Sequence, residues 1–194
     1  MKHDASSVQP SNELEQRRVT LHNRTFECFI ERDEIARAVE KIAAQIERDY
    51  SGRQVVLVIV LKGALLFAAD LVRMLRIPLR IEFVRASSYG AAMRSSGTVE
   101  LDGTLRSVQD CDVIVVEDIA DSGTTLAALV AHLEQFSPRS IAVATLLSKP
   151  AVHGGRVPLD YVGIEIPPVF VVGYGLDYNE LGRNLPDIYR VVDK

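Results

Sequence analysis

The strongest constraint on this chain is the run VVLVIVL at Val55–Leu61, apolar at every position and mostly β-branched. A strand with one wet face alternates apolar and polar residues. An unbroken short run bounded by turn residues is instead a strand covered on both faces. Such strands belong to parallel sheets layered between helices. The run is also the longest uninterrupted apolar stretch in the sequence, and it falls far short of a membrane span.

The neighbouring segments extend the same pattern. Residues 33–50 place Ile35, Ala38, Val39, Ile42 and Ile46 at helical spacing, an apolar stripe on an otherwise charged helix. Lys62 and Gly63 punctuate the end of the apolar run, and ALLFAADLVRML then predicts a helix that stops before Pro78. LRIEFVRA at residues 79–86 predicts a second strand and DVIVVED at residues 112–118 a third. LAALVAHLEQF predicts another helix, and SIAVATLLS at Ser140–Ser148 a fourth strand. YVGIEI, FVVGY and IYRVV read as short strand-like pieces in an otherwise irregular C-terminal part. This alternation predicts an α/β fold with a doubly wound, mainly parallel sheet. Ligands of such sheets bind outside the carboxyl ends of strands, near a topological switch point. Polar groups at strand ends therefore carry the most information. No internal repeat interrupts the chain. Residues 1–13 predict a loose tail, residues 14–194 a single domain, and the polar stretch at residues 87–97 a loop.

Composition narrows the classes further. The 194 residues hold 22 Lys+Arg against 26 Asp+Glu, a formal charge of −4, with 47% hydrophobic and 25% charged residues. That is a globular composition, which excludes a disordered, collagen-like or disulfide-stapled chain. A pI near 5.6 argues against broad binding to nucleic acid or to an anionic membrane. The polar N-terminus lacks the apolar core of a secretion signal. The two cysteines, Cys28 and Cys111, form no CxxC and read as reduced thiols of a cytoplasmic protein. None of the four histidines has metal-ligand spacing, and neither GxSxG nor a Walker A loop is present.

The most informative segment is VIVVEDIADSGTTL at residues 113–126. An apolar strand ends on Glu117 and Asp118, and Asp121, Ser122, Gly123, Thr124 and Thr125 open a helix. Gly123 permits a tight turn, and the exposed N–H groups of the helix start, with three hydroxyls, suit a phosphate. The plainer reading is that Asp121 or Ser122 caps the helix. Capping leaves the acid pair unexplained: adjacent carboxylates at a buried strand end repel each other unless they hold hydroxyls or a metal.

This segment resembles the phosphoribosyl-diphosphate (PRPP) loop of type I phosphoribosyltransferases. VLKGA at residues 60–64, TLLSK at residues 145–149 and IEIPPVFVVGYGLDYNELGRNL at residues 164–185 resemble, in the same order, segments of its hypoxanthine-guanine (6-oxopurine) branch. The resemblance implies that Glu117 and Asp118 face the ribose hydroxyls and that residues 121–125 hold the 5′-phosphate. Asp121 would exchange a proton at purine N7. Lys62, Gly63 and Arg183 would meet pyrophosphate, with a non-proline cis peptide at the Lys62 turn. Lys149 would donate to purine O6, Phe170 would stack on the ring, and the Val171 backbone would read its far edge. Asp177 would belong to the purine site and be linked to Mg²⁺, with Glu117 and Asp118 as further metal candidates. Ser88 and Tyr89 would belong to a loop closing over the site.

The resemblance further implies a small hood built from the N-terminal segment and about residues 150–194, and a homodimer or homotetramer. It implies a salvage enzyme acting on PRPP and a 6-oxopurine base, with no nucleic-acid or membrane partner. The chain departs from the family pattern at Thr124, where many relatives carry a basic residue, at Ala64, in place of a frequent second glycine, and at Pro150. Two alternatives stay open: a regulatory RNA-binding protein on the same fold, which the acidic charge disfavours, and a related transferase preferring xanthine, adenine or a pyrimidine.

Overall fold

The computed structural model describes residues 18–88, 99–102 and 105–192. A hairpin of β1 (Arg18–Leu21) and β2 (Arg24–Ile30) leads into α1 (Arg32–Asp49). Then follow β3 (Val55–Leu61), α2 (Leu65–Met74), β4 (Leu79–Ser88) and β5 (Val99–Asp102). A 3-10 turn at Leu105–Val108 precedes β6 (Asp112–Ala120), α3 (Thr124–Glu134) and β7 (Ser140–Ser148). The chain closes with α4 (Pro150–His153), β8 (Tyr161–Glu165), β9 (Val171–Val172) and β10 (Ile188–Val191).

The main sheet has the order β5-β4-β3-β6-β7-β8, parallel throughout except for the antiparallel edge strand β5. The unbroken apolar run is explained by two cores, one on each face. Val55, Leu57 and Ile59 pack with Ile35, Ile42 and Ile46 of α1 and with Phe67 and Leu71 of α2. Val56, Val58 and Val60 pack with Leu126, Leu129 and Leu133 of α3 on the other face. Each such side chain, once buried, contributes about 1.5–3 kcal/mol of transfer free energy. The α1 stripe falls where its spacing predicts. Asp33 and Glu34 in its first turn and Arg48 in its last complement the helix dipole.

From β3 the chain crosses through α2 to β4 on one side, and from β6 it crosses through α3 to β7 on the other. The β3/β6 junction is therefore the switch point of the sheet, where the two following loops diverge and leave a crevice. The site is placed by this topology.

A second, antiparallel sheet has the order β1-β2-β10-β9 and joins the two ends of the described chain around Phe26, Val172 and Tyr189. Tyr174 donates its hydroxyl to Asp70 of α2 at 2.6 Å, and the Arg32 N–H donates to Asp187 at 2.8 Å, which ties this sheet to the main one.

Several sequence expectations need correction. The third strand does not stop at Asp118. It runs to Ala120, because β7 continues to pair with it through Ile119↔Leu147 and Ala120↔Ser148. Ladder hydrogen bonds carry polar residues that hydrophobicity alone would release to a loop. Residues 150–153, expected to be irregular, form α4 with Pro150 in its first turn, where its missing N–H costs nothing. The β1–β2 hairpin and β5 had no counterpart in the sequence reading. The expected tail at residues 1–13 and most of the expected loop at residues 87–97 lie outside the described residues. Cys28 and Cys111 form no disulfide. Among the described residues no helix is long and apolar enough to cross a membrane.

Candidate active site

The switch-point crevice is an open cleft of about 200 Å³. Val60, Leu61 and Gly63 line it from the end of β3, and Glu117, Ile119 and residues 120–123, with Thr125 and Leu126, line it from β6 and the start of α3. The parallel register brings these groups together, since β3, β6 and β7 lie side by side and end at the same edge.

The helix start is built as a cradle. Gly123 is the N-cap of α3 in the left-handed conformation at φ +74°, and the side chain that reaches the helix start is Ser122, whose Oγ accepts the Thr124 N–H at 3.4 Å. Asp121 is thus not a capping residue. Its carboxylate instead accepts a hydrogen bond from Lys149 Nζ at 2.9 Å. Lys149, at the end of β7, is 7% exposed, a buried cation whose acid partner is largely open to solvent. Ser122 Oγ donates to Thr124 Oγ1 at 3.2 Å.

Glu117 is buried and Asp118 is adjacent to it. Burial, reinforced by the neighbouring Asp118 charge, pushes the Glu117 carboxyl well above the usual carboxylate range. Burial raises Asp118 as well, opposed by hydrogen bonds from Glu117 and the Ile119 N–H and by the charge of Arg183. Glu117 accepts the Asp118 N–H at 3.3 Å and Asp118 the Ile119 N–H at 2.8 Å, and a diol or a cation would offset the repulsion that remains between the two carboxyls.

Close backbone packing joins the β3 loop to both sheets. The peptide bond between Leu61 and Lys62 is cis, where the resemblance implied such a bond. A Cβ on Gly63 would lie 1.7 Å from Asp118 Oδ2, and one on Gly175 would lie 2.1 Å from the Gly63 carbonyl oxygen. Gly63 is therefore wedged between the acid pair and the segment after β9, with Gly175 at φ +102°. Arg183 donates to the Gly175 carbonyl at 2.7 Å and pairs with Asp177 at 2.6 Å, while its Nε is buried without a hydrogen-bond partner. Asp177 also accepts the Glu180 N–H at 2.8 Å. Lys62 pairs with Glu180 at 2.8 Å, and that hydrogen bond and charge lower the Glu180 pKa.

Phe170 is 45% exposed, with its ring 5.9 Å from Tyr178 in an edge contact and 6.3 Å from Phe26. Val171 is buried in β9, opposite Arg190. Ser88 ends β4 at the same sheet edge, and Tyr89 lies outside the described residues.

A family model described as "Phosphoribosyl transferase domain" matches residues 30–179. A hypoxanthine-guanine phosphoribosyltransferase from Staphylococcus aureus strain Mu50 is 38% identical over 169 residues, 87% of this chain and 94% of that protein. The chain belongs to the phosphoribosyl transferase family, in its hypoxanthine-guanine branch.

Another branch relative, from Mycobacterium avium, is 48% identical over 136 residues, 70% of this chain and 67% of that protein. A crystal structure of the Bacillus anthracis hypoxanthine-guanine phosphoribosyltransferase superposes with a TM-score of 0.80 at 42% identity, covering 86% of this chain and 98% of that one.

The phosphoribosyl transferase motifs were legible one by one, but their partners were not. Glu180 and Gly175 sit inside a quoted motif without having been singled out. Arg156, which donates to the Ser122 carbonyl and to Thr124 Oγ1, both at 2.9 Å, belongs to no motif at all.

Proposed function

We propose that the protein transfers the phosphoribosyl group of PRPP to N9 of hypoxanthine or guanine, giving IMP or GMP and pyrophosphate. One observation carries this reading: the buried Lys149 meets Asp121 at 2.9 Å, beside a phosphate-shaped loop at the switch point of the sheet. O6 and N7 are neighbouring atoms on one purine edge. A lysine and an aspartate this close can serve both, Lys149 donating to O6 and Asp121 exchanging the proton at N7. A 6-amino group would set donor against donor at Lys149, which disfavours adenine.

Phe170 offers its exposed face for stacking, and the Val171 backbone lies next to it. Glu117 and Asp118 accept hydrogen bonds from the ribose hydroxyls, relieving their mutual repulsion. Residues 121–125 hold the 5′-phosphate through N–H groups and hydroxyls. Lys62, Gly63 and Arg183 take the leaving pyrophosphate, Arg183 offering the unpartnered Nε. As the C1′–O bond breaks, the donors at the leaving group stabilise its growing negative charge. Ser88 and Tyr89 belong to the segment that would cover the site and exclude water.

Among the described residues no three or more His, Cys, Asp or Glu side chains group tightly enough to form a metal cage. Hard carboxylate oxygens in ones and twos do suit Mg²⁺, which takes much of its coordination from substrate phosphates and water. Asp177, with Glu117 and Asp118, would hold it. Bound there, Mg²⁺ would supply charge neutralisation to the diphosphate.

The antiparallel sheet β1-β2-β10-β9 forms the hood over the base in a single domain; of the expected span of about residues 150–194, β8 belongs to the main sheet instead. Exposed Ile81 and Phe83, two apart on β4, offer an apolar face for a homodimer or homotetramer, a state that sedimentation reads directly. Cys28 and Cys111, without a disulfide between them, suit a reducing cytoplasm.

The test is a steady-state assay with PRPP, Mg²⁺ and each of hypoxanthine, guanine, xanthine and adenine. Turnover is expected with the first two, and none with any base would overturn the reading. The hypoxanthine-guanine names of the relatives favour it over an RNA-binding regulator or a xanthine-preferring transferase. A second expectation concerns Gly63. In Gly63→Ala the new methyl must displace the Asp118 carboxylate or the loop, and misplacement on that scale costs about 10²-fold in kcat/KM for PRPP. An unchanged kcat/KM would show that the loop does not bear on the reaction.

A further inference from the structure

The loop at residues 121–125 reads DSGTT and contains no cation of its own. Tertiary structure brings one. Arg156, in the turn after α4, donates from Nη1 to the Ser122 carbonyl and to Thr124 Oγ1, both at 2.9 Å. The approach is close: a Cβ on Gly123 would lie 3.4 Å from His153 Cβ and 3.5 Å from Arg156 Cβ.

Hydrogen bonds at both ends of α4 fix this turn. The Lys149 N–H donates to the Ala120 carbonyl at 3.0 Å. His153 Nδ1 accepts the Gly155 N–H at 3.1 Å, so Nε2 carries the proton and faces Ser148 Oγ at 3.0 Å.

Two consequences point to an anion. Lys62, Lys149 and Arg183 each face a carboxylate, whereas no acid pairs with Arg156 among the described residues. Arg156 is the cation beside the cleft whose charge is left to spend on a ligand. Thr124 Oγ1 also accepts twice, from Ser122 Oγ and from Arg156. Both of its lone pairs are engaged, so its own proton is left to donate outward.

We propose that Arg156 is the phosphate-binding cation of this loop. It turns the Thr124 hydroxyl into a donor and adds positive charge at the 5′-phosphate of the substrate. The inference rests on the PRPP reading above and deepens it, assigning to a residue outside every motif the charge that the loop lacks. The charge-assisted bonds at stake correspond to about tenfold or more in affinity.

The experiment is calorimetric binding of ribose 5-phosphate to the parent, Arg156→Ala and Arg156→Gln, with pyrophosphate as the control ligand. Glutamine keeps a donor for the Ser122 carbonyl but carries no charge. The dissociation constant for ribose 5-phosphate should rise about tenfold or more in both variants, while that for pyrophosphate stays within about twofold. Arg156 is exposed, so both variants should melt as the parent does. Parent-like ribose 5-phosphate affinity in the alanine variant would overturn the proposal. So would parent-like affinity in the glutamine variant, which would reduce Arg156 to a neutral tether. A parent that binds no ribose 5-phosphate at all would instead remove the phosphoribosyl reading itself, and Arg156 with it.

Discussion

Replacing Asp121 by Asn is expected to lower kcat by about 10²–10³-fold while the KM for PRPP moves by less than about threefold. The asymmetry follows from where Asp121 sits. It does not cap α3, whose N-cap is Gly123 with no side-chain bond. Among the described residues its carboxylate accepts from Lys149, and the amide oxygen of asparagine can still accept that hydrogen bond. The loop proposed to hold the phosphate should keep its shape. What asparagine loses is the ability to take and return a proton, the role proposed above for Asp121 at the purine. Steady-state kinetics in both substrates, with a thermal melt as control, separates the outcomes. Equal losses in kcat and in PRPP affinity would assign Asp121 a structural role.

The largest stability effect is expected far from the site, at Asp112, which opens β6 at the opposite edge of the sheet. Its carboxylate is fully buried and accepts from Arg53 through both Nε and Nη2, from Arg139 at 3.2 Å and from Ser140 Oγ at 2.7 Å. Burial alone would raise its pKa. The Ser140 hydroxyl and the two guanidinium groups outweigh that and hold it below the usual value.

Asp112→Asn turns an amide NH2 toward these donors and should cost about 3 kcal/mol, roughly 6–12 °C in Tm. The figure lies at the low end for a buried pair because both arginines are partly exposed and can turn to water. A depressed folded pKa stabilises above the unfolded carboxyl pKa of about 3.9, and that stabilisation fades as pH falls through the folded value. The gap between parent and variant should therefore be constant near neutrality and close below about pH 4. A gap that persists unchanged in acid would count against the ionic account. Turnover at a temperature where both are folded should match, since Asp112 touches no residue of the cleft.

The main sheet was legible because burial on both faces leaves a mark that needs no partner to read. Val55–Leu61 and Ser140–Ser148 form strands with the bounds their apolar runs predict. The antiparallel sheet was not legible in this way. β1 is short and partly polar, β9 is two residues long, and the sheet closes only where β10 pairs with β2, more than a hundred residues away along the chain. Strand pairing across such a separation has no local signature, and the same holds for the extension of β6 to Ala120.

The site divides along the same line. By itself, the sequence determined the candidates for chemistry: an acid pair, a hydroxyl-rich helix start, a strand-end lysine and the aromatic Phe170. Those are properties of residue type and local spacing, dictated by turn conformation and hydrogen-bonding capacity. Only tertiary structure decided who faces whom. It set Lys149 on Asp121, wedged Gly63 against Asp118 and Gly175, engaged Lys62 with Glu180, and swung Arg156 over a loop that has no cation of its own. Charge and hydrogen bonding act over a few ångströms of space, whatever the distance along the chain, so these pairings exist only once parallel strands bring their ends to one edge.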